Sequence, residues 1–193
     1  MKLTKVILIF LLLPILVVGC AKKQTGQVVV DEKNSKLLNY EFKIKDFNSM
    51  DDIMSKQRYL YTTDIDKTYV AIAVYESPNT SMKQYLVQKD KTVDLTISKD
   101  STFVISLYAN STVAYTWNIK NDINNELIKF IKKSKIDIPL PNPKIHSDGT
   151  NYGRENFSFK SLKVGSEKIV LRYEHQTDQQ NEFFEITINI KIK

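Results

Sequence analysis

Phe184-Glu185-Ile186-Thr187-Ile188-Asn189-Ile190-Lys191-Ile192 alternates apolar and polar residues for nine positions. A period of two puts Phe184 and the four isoleucines on one face and Glu185, Thr187, Asn189 and Lys191 on the other, the signature of a half-buried strand. The same alternation recurs upstream. Val93, Leu95 and Ile97 alternate with Thr92, Asp94, Thr96 and Ser98. Phe103, Ile105 and Leu107 follow, then Phe157 and Phe159 around Ser158, then Ile169, Leu171 and Tyr173. Turn chemistry separates these runs at 98–100, at the Pro139 to Pro143 region, at Asp148-Gly149 and at 164–166. Short strands with turns between them predict a mainly β protein, a β-sandwich whose polar alternates stay wet.

Outward from that core the pattern changes. Residues 122–134, DINNELIKFIKKS, suit a short helix or a strand almost equally, because a short apolar run does not separate the two. Residues 37–87 read as a small N-terminal α+β region, packed on or preceding a sandwich at 88–193. LNYEFKIKDF alternates as a strand, MDDIMSKQRYLY has helical content, and TYVAIAVYE is a near-continuous apolar run that predicts a strand buried on both faces. Residues 20–36 are polar and poor in aromatics, as in a flexible tether.

The first 19 residues carry an address. Lys2 and Lys5 precede an apolar run from Val6 to Val18, too short for a comfortable membrane span and right for a secretory signal. The single cysteine, Cys20, follows Val17-Val18-Gly19, and this segment resembles a bacterial lipobox. The resemblance implies a lipoprotein signal peptide at 1–19, lipidation at Cys20 with a palmitate-type chain, and a protein held at the extracytoplasmic face of a bacterial membrane.

Removing residues 1–19 from the 193 leaves 174, enough for one ordinary domain with a smaller addition. Loss of Lys2 and Lys5 lowers the net charge from +6 to +4, spread along the chain, which argues against nucleic acid as a partner. With Cys20 acylated no cysteine remains for a disulfide or thiolate site. No phosphate-binding glycine motif occurs, and His146 and His175 are far apart in sequence. Neither a metal, nor a cofactor, nor an enzymatic constellation is expected.

Leu107-Tyr108-Ala109 leads into Asn110-Ser111-Thr112-Val113-Ala114-Tyr115-Thr116-Trp117. This stretch resembles the N-P-T-T-G-Y-x-W loop of the chagasin-like inhibitors of papain-type cysteine peptidases. Asn110, Thr112, Tyr115 and Trp117 match; Ser111, Val113 and Ala114 stand where that pattern has Pro, Thr and Gly. Residues 150–165, TNYGRENFSFKSLKVG, are similar to the family's G-x-G-G loop, following strand and A-L-K-P-G turn, with Gly153 matching the last glycine and Thr150 and Tyr152 replacing the others. Residues 169–177 resemble the strand leading into its R-P-W loop, with His175-Gln176-Thr177 in place of Arg-Pro-Trp. The resemblance covers about 88–193.

It implies an immunoglobulin-like antiparallel sandwich with three neighbouring loops that fill a peptidase cleft without being cut. Asn110, Ser111, Thr112, Val113, Ala114, Tyr115, Tyr152, Gly153 and His175 are then the peptidase-binding candidates, and a papain-like cysteine peptidase the partner. Rigid loops lose little entropy on binding, so such contacts convert efficiently into affinity. Duller roles stand beside these. Trp117 suits the sandwich core, Asn110 and Thr112 suit turn hydrogen bonds, and Gly153 suits a turn. A non-inhibitory adhesion or assembly lipoprotein, using the sandwich as a docking module, is the alternative function.

Overall fold

A computed structural model describes residues 38–44, 46–62, 64–110, 112–138, 153–177 and 183–193. Among the described residues ten strands form two sheets. They are β1 (Asn39–Lys43), β2 (Lys67–Glu76), β3 (Asn79–Gln88), β4 (Lys91–Ile97), β5 (Thr102–Ala109), β6 (Tyr115–Ile119), β7 (Ile128–Asp137), β8 (Gly153–Ser161), β9 (Gly165–His175) and β10 (Phe184–Ile192). The helix α1 (Met50–Ser55) follows a 3₁₀ turn at Phe47–Ser49. The large sheet runs β1-β3-β2-β5-β8-β7 and the small one β4-β10-β9-β6.

The alternation read from the sequence sets the core between the sheets. Ile186, Ile188, Ile190 and Ile192 of β10 meet Ile169 and Leu171 of β9 and face Phe103, Ile105, Leu107, Phe157 and Phe159 across the sandwich. Phe103 stacks on Phe159 at 5.2 Å between centroids. Every pairing is antiparallel except β4 with β10, which run parallel. The chain crosses between sheets at the β3–β4 turn, where Asp90 donates its N–H to Glu185 O, and β4 then runs alongside the closing strand in its own direction. Asp90 and Asp100, in the turns flanking β4, have φ of 59° and 66°, a left-handed backbone that aspartate tolerates better than most side chains.

The structure decides three points. Residues 128–137 are the strand β7, one of the two readings left open for 122–134. Phe130 packs on Phe159 at 5.4 Å, and a bulge between Phe130 and Lys132 lets Ile131 leave the ladder with β8. The pattern there is irregular because an edge strand with a bulge breaks the period of two. Second, β2 lies between β3 and β5 and pairs with β5 from Val70↔Leu107 to Tyr75↔Thr102. Strands on both sides of position 87/88 therefore share one sheet, and Val70, Ile72 and Val87 belong to the same core as β5 and β8. Third, Asn79–Gln88, which carried no clear strand signal, is a full member of that sheet. Its outer face alternates Thr80, Met82 and Gln84, too polar to read as half-buried.

The outer face of the large sheet has a second core. Ala71, Ala73, Met82 and Val104 are covered by Ile44, Met50, Met54 and Tyr59. Small side chains at 71 and 73 leave room for the covering segment, which explains the unbroken apolar run of β2. Asp51 pins α1 there: its carboxylate accepts from Ser134 Oγ at 3.0 Å and Asn156 Nδ2 at 3.1 Å and pairs with Lys132. Burial alone would raise its pKa, but the hydrogen bonds from Lys132, Asn156 and Ser134 prevail and hold it below the ordinary value. Beside it Arg154, buried, stacks on the Tyr59 ring at 4.2 Å and donates to Ser106 Oγ, Ser106 O and Tyr69 O. Burial pulls its guanidinium down to about 10, so it stays charged at neutral pH.

Candidate functional site

The strands deliver the candidate loops to one end of the sandwich. Ala109, last in β5, pairs with Gly153, first in β8, and Asp137, last in β7, pairs with the same glycine. In the small sheet Tyr115, first in β6, pairs with His175, last in β9. The β5–β6, β7–β8 and β9–β10 connections therefore all leave from this end.

The β5–β6 loop is held by its own side chains. Asn110 Oδ1 accepts from the Thr112 N–H at 3.0 Å and from Thr112 Oγ1 at 2.7 Å, the turn chemistry that asparagine favours. The Val113 N–H reaches Asn110 O at 3.4 Å. Thr112, Val113 and Ala114 are exposed, Val113 to 43%. Ala114 does not take a left-handed backbone, so the loop does not depend on a glycine there. Its carbonyl accepts the Gln176 N–H at 2.8 Å, which ties the first loop to the third.

Aromatic stacking continues beneath. Tyr115 meets His175 edge-on at 5.2 Å and Tyr173 at 5.4 Å; Trp117 meets Tyr173 at 5.2 Å. The Tyr173 hydroxyl accepts the Asn110 N–H at 3.3 Å, and burial pushes its pKa up to about 12. Trp117 is 2% exposed and donates Nε1–H to Tyr108 O at 2.8 Å, so it belongs to the core rather than to the loop surface. Gly153 is buried for a local reason: a Cβ there would stand 3.2 Å from Ala109 O. A side chain would push β5 and β8 apart at the base of the loops.

Under this platform lies a carboxylate that the sequence reading missed. Glu155 is fully buried. It accepts from the Trp117 N–H at 2.8 Å and from Thr116 Oγ1 at 2.8 and 3.1 Å, and pairs with Lys133 at 2.9 Å and Lys135 at 3.4 Å. Lys133 also donates to Thr116 Oγ1 and Trp117 O. Strand β8 of one sheet and β6 of the other are thus joined just behind the loops. The only sequence signal was a charged residue at an inward position of an otherwise apolar alternation, Glu155 before Phe157 and Phe159.

Ser111, Tyr152, His146 and Cys20 lie outside the described residues. Among the described residues no group of three or more His, Cys, Asp or Glu side chains could hold a metal, and no helix is long and apolar enough to cross a membrane.

Residues 96–192 match the model of a family described as chagasin family peptidase inhibitor I42. The chain belongs to the chagasin family. The matched span starts at the end of β4 and runs through β10, so the three loops lie inside it and β1, α1, β2 and β3 lie outside it. Among solved structures the chain is similar to the cysteine protease inhibitor EhICP2 of Entamoeba histolytica, at 23% identity over 54% of this chain and 88% of that one, with a TM-score of 0.43. It is also similar to amebosin, at 17% identity over 54% of this chain and 98% of that one, with a TM-score of 0.37. No curated protein matches it.

Proposed function

We propose that this chagasin-family chain is a reversible inhibitor of a papain-type cysteine peptidase that occludes the peptidase cleft with its three loops. The carrying observation is the convergence of the loop bases: Ala109 with Gly153, and Tyr115 with His175, at one end of a ten-stranded sandwich. The Asn110–Thr112 turn and the tie from Ala114 to Gln176 reduce the entropy that binding would otherwise remove. Asn110, Ser111, Thr112, Val113, Ala114, Tyr115, Tyr152, Gly153 and His175 are the candidates to meet or shape the contact. Occlusion needs neither metal nor cofactor.

Titration of a papain-type peptidase with the purified chain tests this reading. Tight reversible inhibition is expected, with the loss of at least tenfold in affinity when Thr112 and Tyr152 are both changed to Ala, the size of a moderate interface anchor. Absence of inhibition across papain-type peptidases, with intact folding, would move the docking-module reading ahead.

The lipobox resemblance supports a location. In this reading the signal peptide is removed, Cys20 carries lipid, and residues 20–36 tether the domain at the extracytoplasmic face of the membrane. Labelled palmitate should enter the wild-type chain and not Cys20→Ser. One acyl chain alone binds a membrane only marginally, so stable anchoring implies more than one chain on the mature terminus.

A further inference from the structure

Seven large hydrophobic side chains are exposed among the described residues, and three of them, Ile65, Val113 and Phe183, stand at the loop end. Val113 belongs to the first loop, and Phe183 precedes β10 at the end of the third. Ile65 does not belong to the matched family span at all, and it is the most exposed, at 87%. Single exposed apolar side chains are ordinary, and what sets these three apart is that they are carried to the same end as the loops.

The sheet register places Ile65. β2 pairs with β5 through Val70↔Leu107. Continuing that register by three residues brings Lys67 level with Asn110, one strand spacing of about 5 Å away. The turn ahead of β2 therefore shares a rim with the 110–114 loop. That turn is built, not slack. Asp64 Oδ1 accepts the Asp66 N–H at 3.0 Å, Asp64 O accepts the Lys67 N–H at 3.1 Å, and Lys67 Nζ pairs with Asp64.

It is also wired to the far side of the rim. The Lys89 N–H donates to Asp66 O at 2.8 Å, and Lys89 Nζ stands 5.7 Å over the Phe183 ring, whose other cationic neighbour is Arg172 at 4.1 Å. A backbone bond and a cation–π contact thus run from the turn before β2 to the segment entering β10.

We propose that residues 64–67 form a fourth contact loop, which lays Ile65 against apolar surface beside the cleft of the bound cysteine peptidase. The proposal rests on the inhibitor reading above and extends its footprint to a segment that the matched family span lacks. The N-terminal strands then have a second role besides widening the sheet: they carry this loop to the rim and fix its height.

Inhibition constants for the full chain, Ile65→Ser, Ile65→Leu and Val113→Asp against papain-type peptidases, papain first, test it. Because Ile65 makes no core contact, Ile65→Ser should leave the melting temperature unchanged and weaken inhibition about tenfold, while Ile65→Leu stays within about twofold. In the complex, hydrogen exchange at the Ile65 amide should slow. If Val113→Asp weakens inhibition and Ile65→Ser does not, the fourth loop is overturned and the three-loop reading stands. If the wild-type chain inhibits no papain-type peptidase, both are overturned.

Discussion

Glu155 sets two requirements at once. A carboxylate inside a sandwich loses most of its hydration, so it must be paired and hydrogen-bonded. Here Lys133, Lys135, Thr116 and the Trp117 N–H meet that need and in doing so lock β6 onto β8 behind the loops. Glu155→Gln removes the charge but keeps the shape, and it turns one accepting oxygen into a donor where the Trp117 N–H and Thr116 Oγ1 also donate. The expected cost is about 2 kcal/mol, the scale of a buried donor left without an acceptor, read as a lower urea midpoint with unchanged slope. The double change of Glu155→Gln with Lys133→Met should cost less than the sum of the two single changes. Little of this was legible. Asn110 and Thr112 left contact and turn roles open; the structure gives them a turn, which does not by itself exclude contact. Trp117 read as core because a sandwich needs a large buried aromatic, and it is. Glu155 did not read at all, since its partners come from β6 and β7, and their registers cannot be inferred from alternation alone.

At the level of elements, the segment before β2 shows why α1 exists. Six residues are too few for a helix to be stable alone. Met50 and Met54 bury one side of it on Ala73, Met82 and Val104, and Asp51 anchors the other through Lys132, Ser134 and Asn156. The strength of the anchor depends on pH with a definite sign. The folded-state pKa of Asp51 lies below 3.8, so its stabilisation is fully present above the ordinary aspartate range and is lost as pH falls through the depressed value. Asp51→Asn should therefore cost about 2 kcal/mol at pH 7, the scale of hydrogen bonds to a charged group, and the gap to wild type should close below about pH 4. Chemical denaturation of both proteins at several pH values checks this; a gap that persists unchanged at pH 2 would show that shape and not charge holds the helix. The helical start of 50–61 was visible in the sequence, although the helix ends at Ser55, as were the alternation of β10 and the doubly buried run of β2. β7 was ambiguous because its bulge destroys the period, and β3 was hidden because its outward residues are covered by a segment from far earlier in the chain.

At the scale of the molecule, the sequence suggested a small unit at 37–87 beside a sandwich at 88–193, and the sheet order argues for shared cooperativity instead. Val70, Ile72 and Val87 pack in the core that holds Phe103, Phe159 and Ile188, and β2 pairs with β5 over six residues. A break at 87/88 would have to open that ladder and expose both cores, so partial unfolding is disfavoured. Composition could not reveal this, because the pairing of β2 with β5 is decided by which strand edges are free once the sandwich has formed. Trp117, the only tryptophan, sits in the small sheet, far in sequence from β2. Its fluorescence should therefore lose its native signal in the same denaturant transition as the far-ultraviolet dichroism of the whole chain. Ile72→Ala should cost about 3 kcal/mol, in the range for deleting a buried isoleucine, and should shift both transitions together. An unmoved Trp117 transition would mean that the first three strands unfold by themselves. In that case the turn at 64–67 would lose its fixed place on the loop rim before the three loops lose theirs.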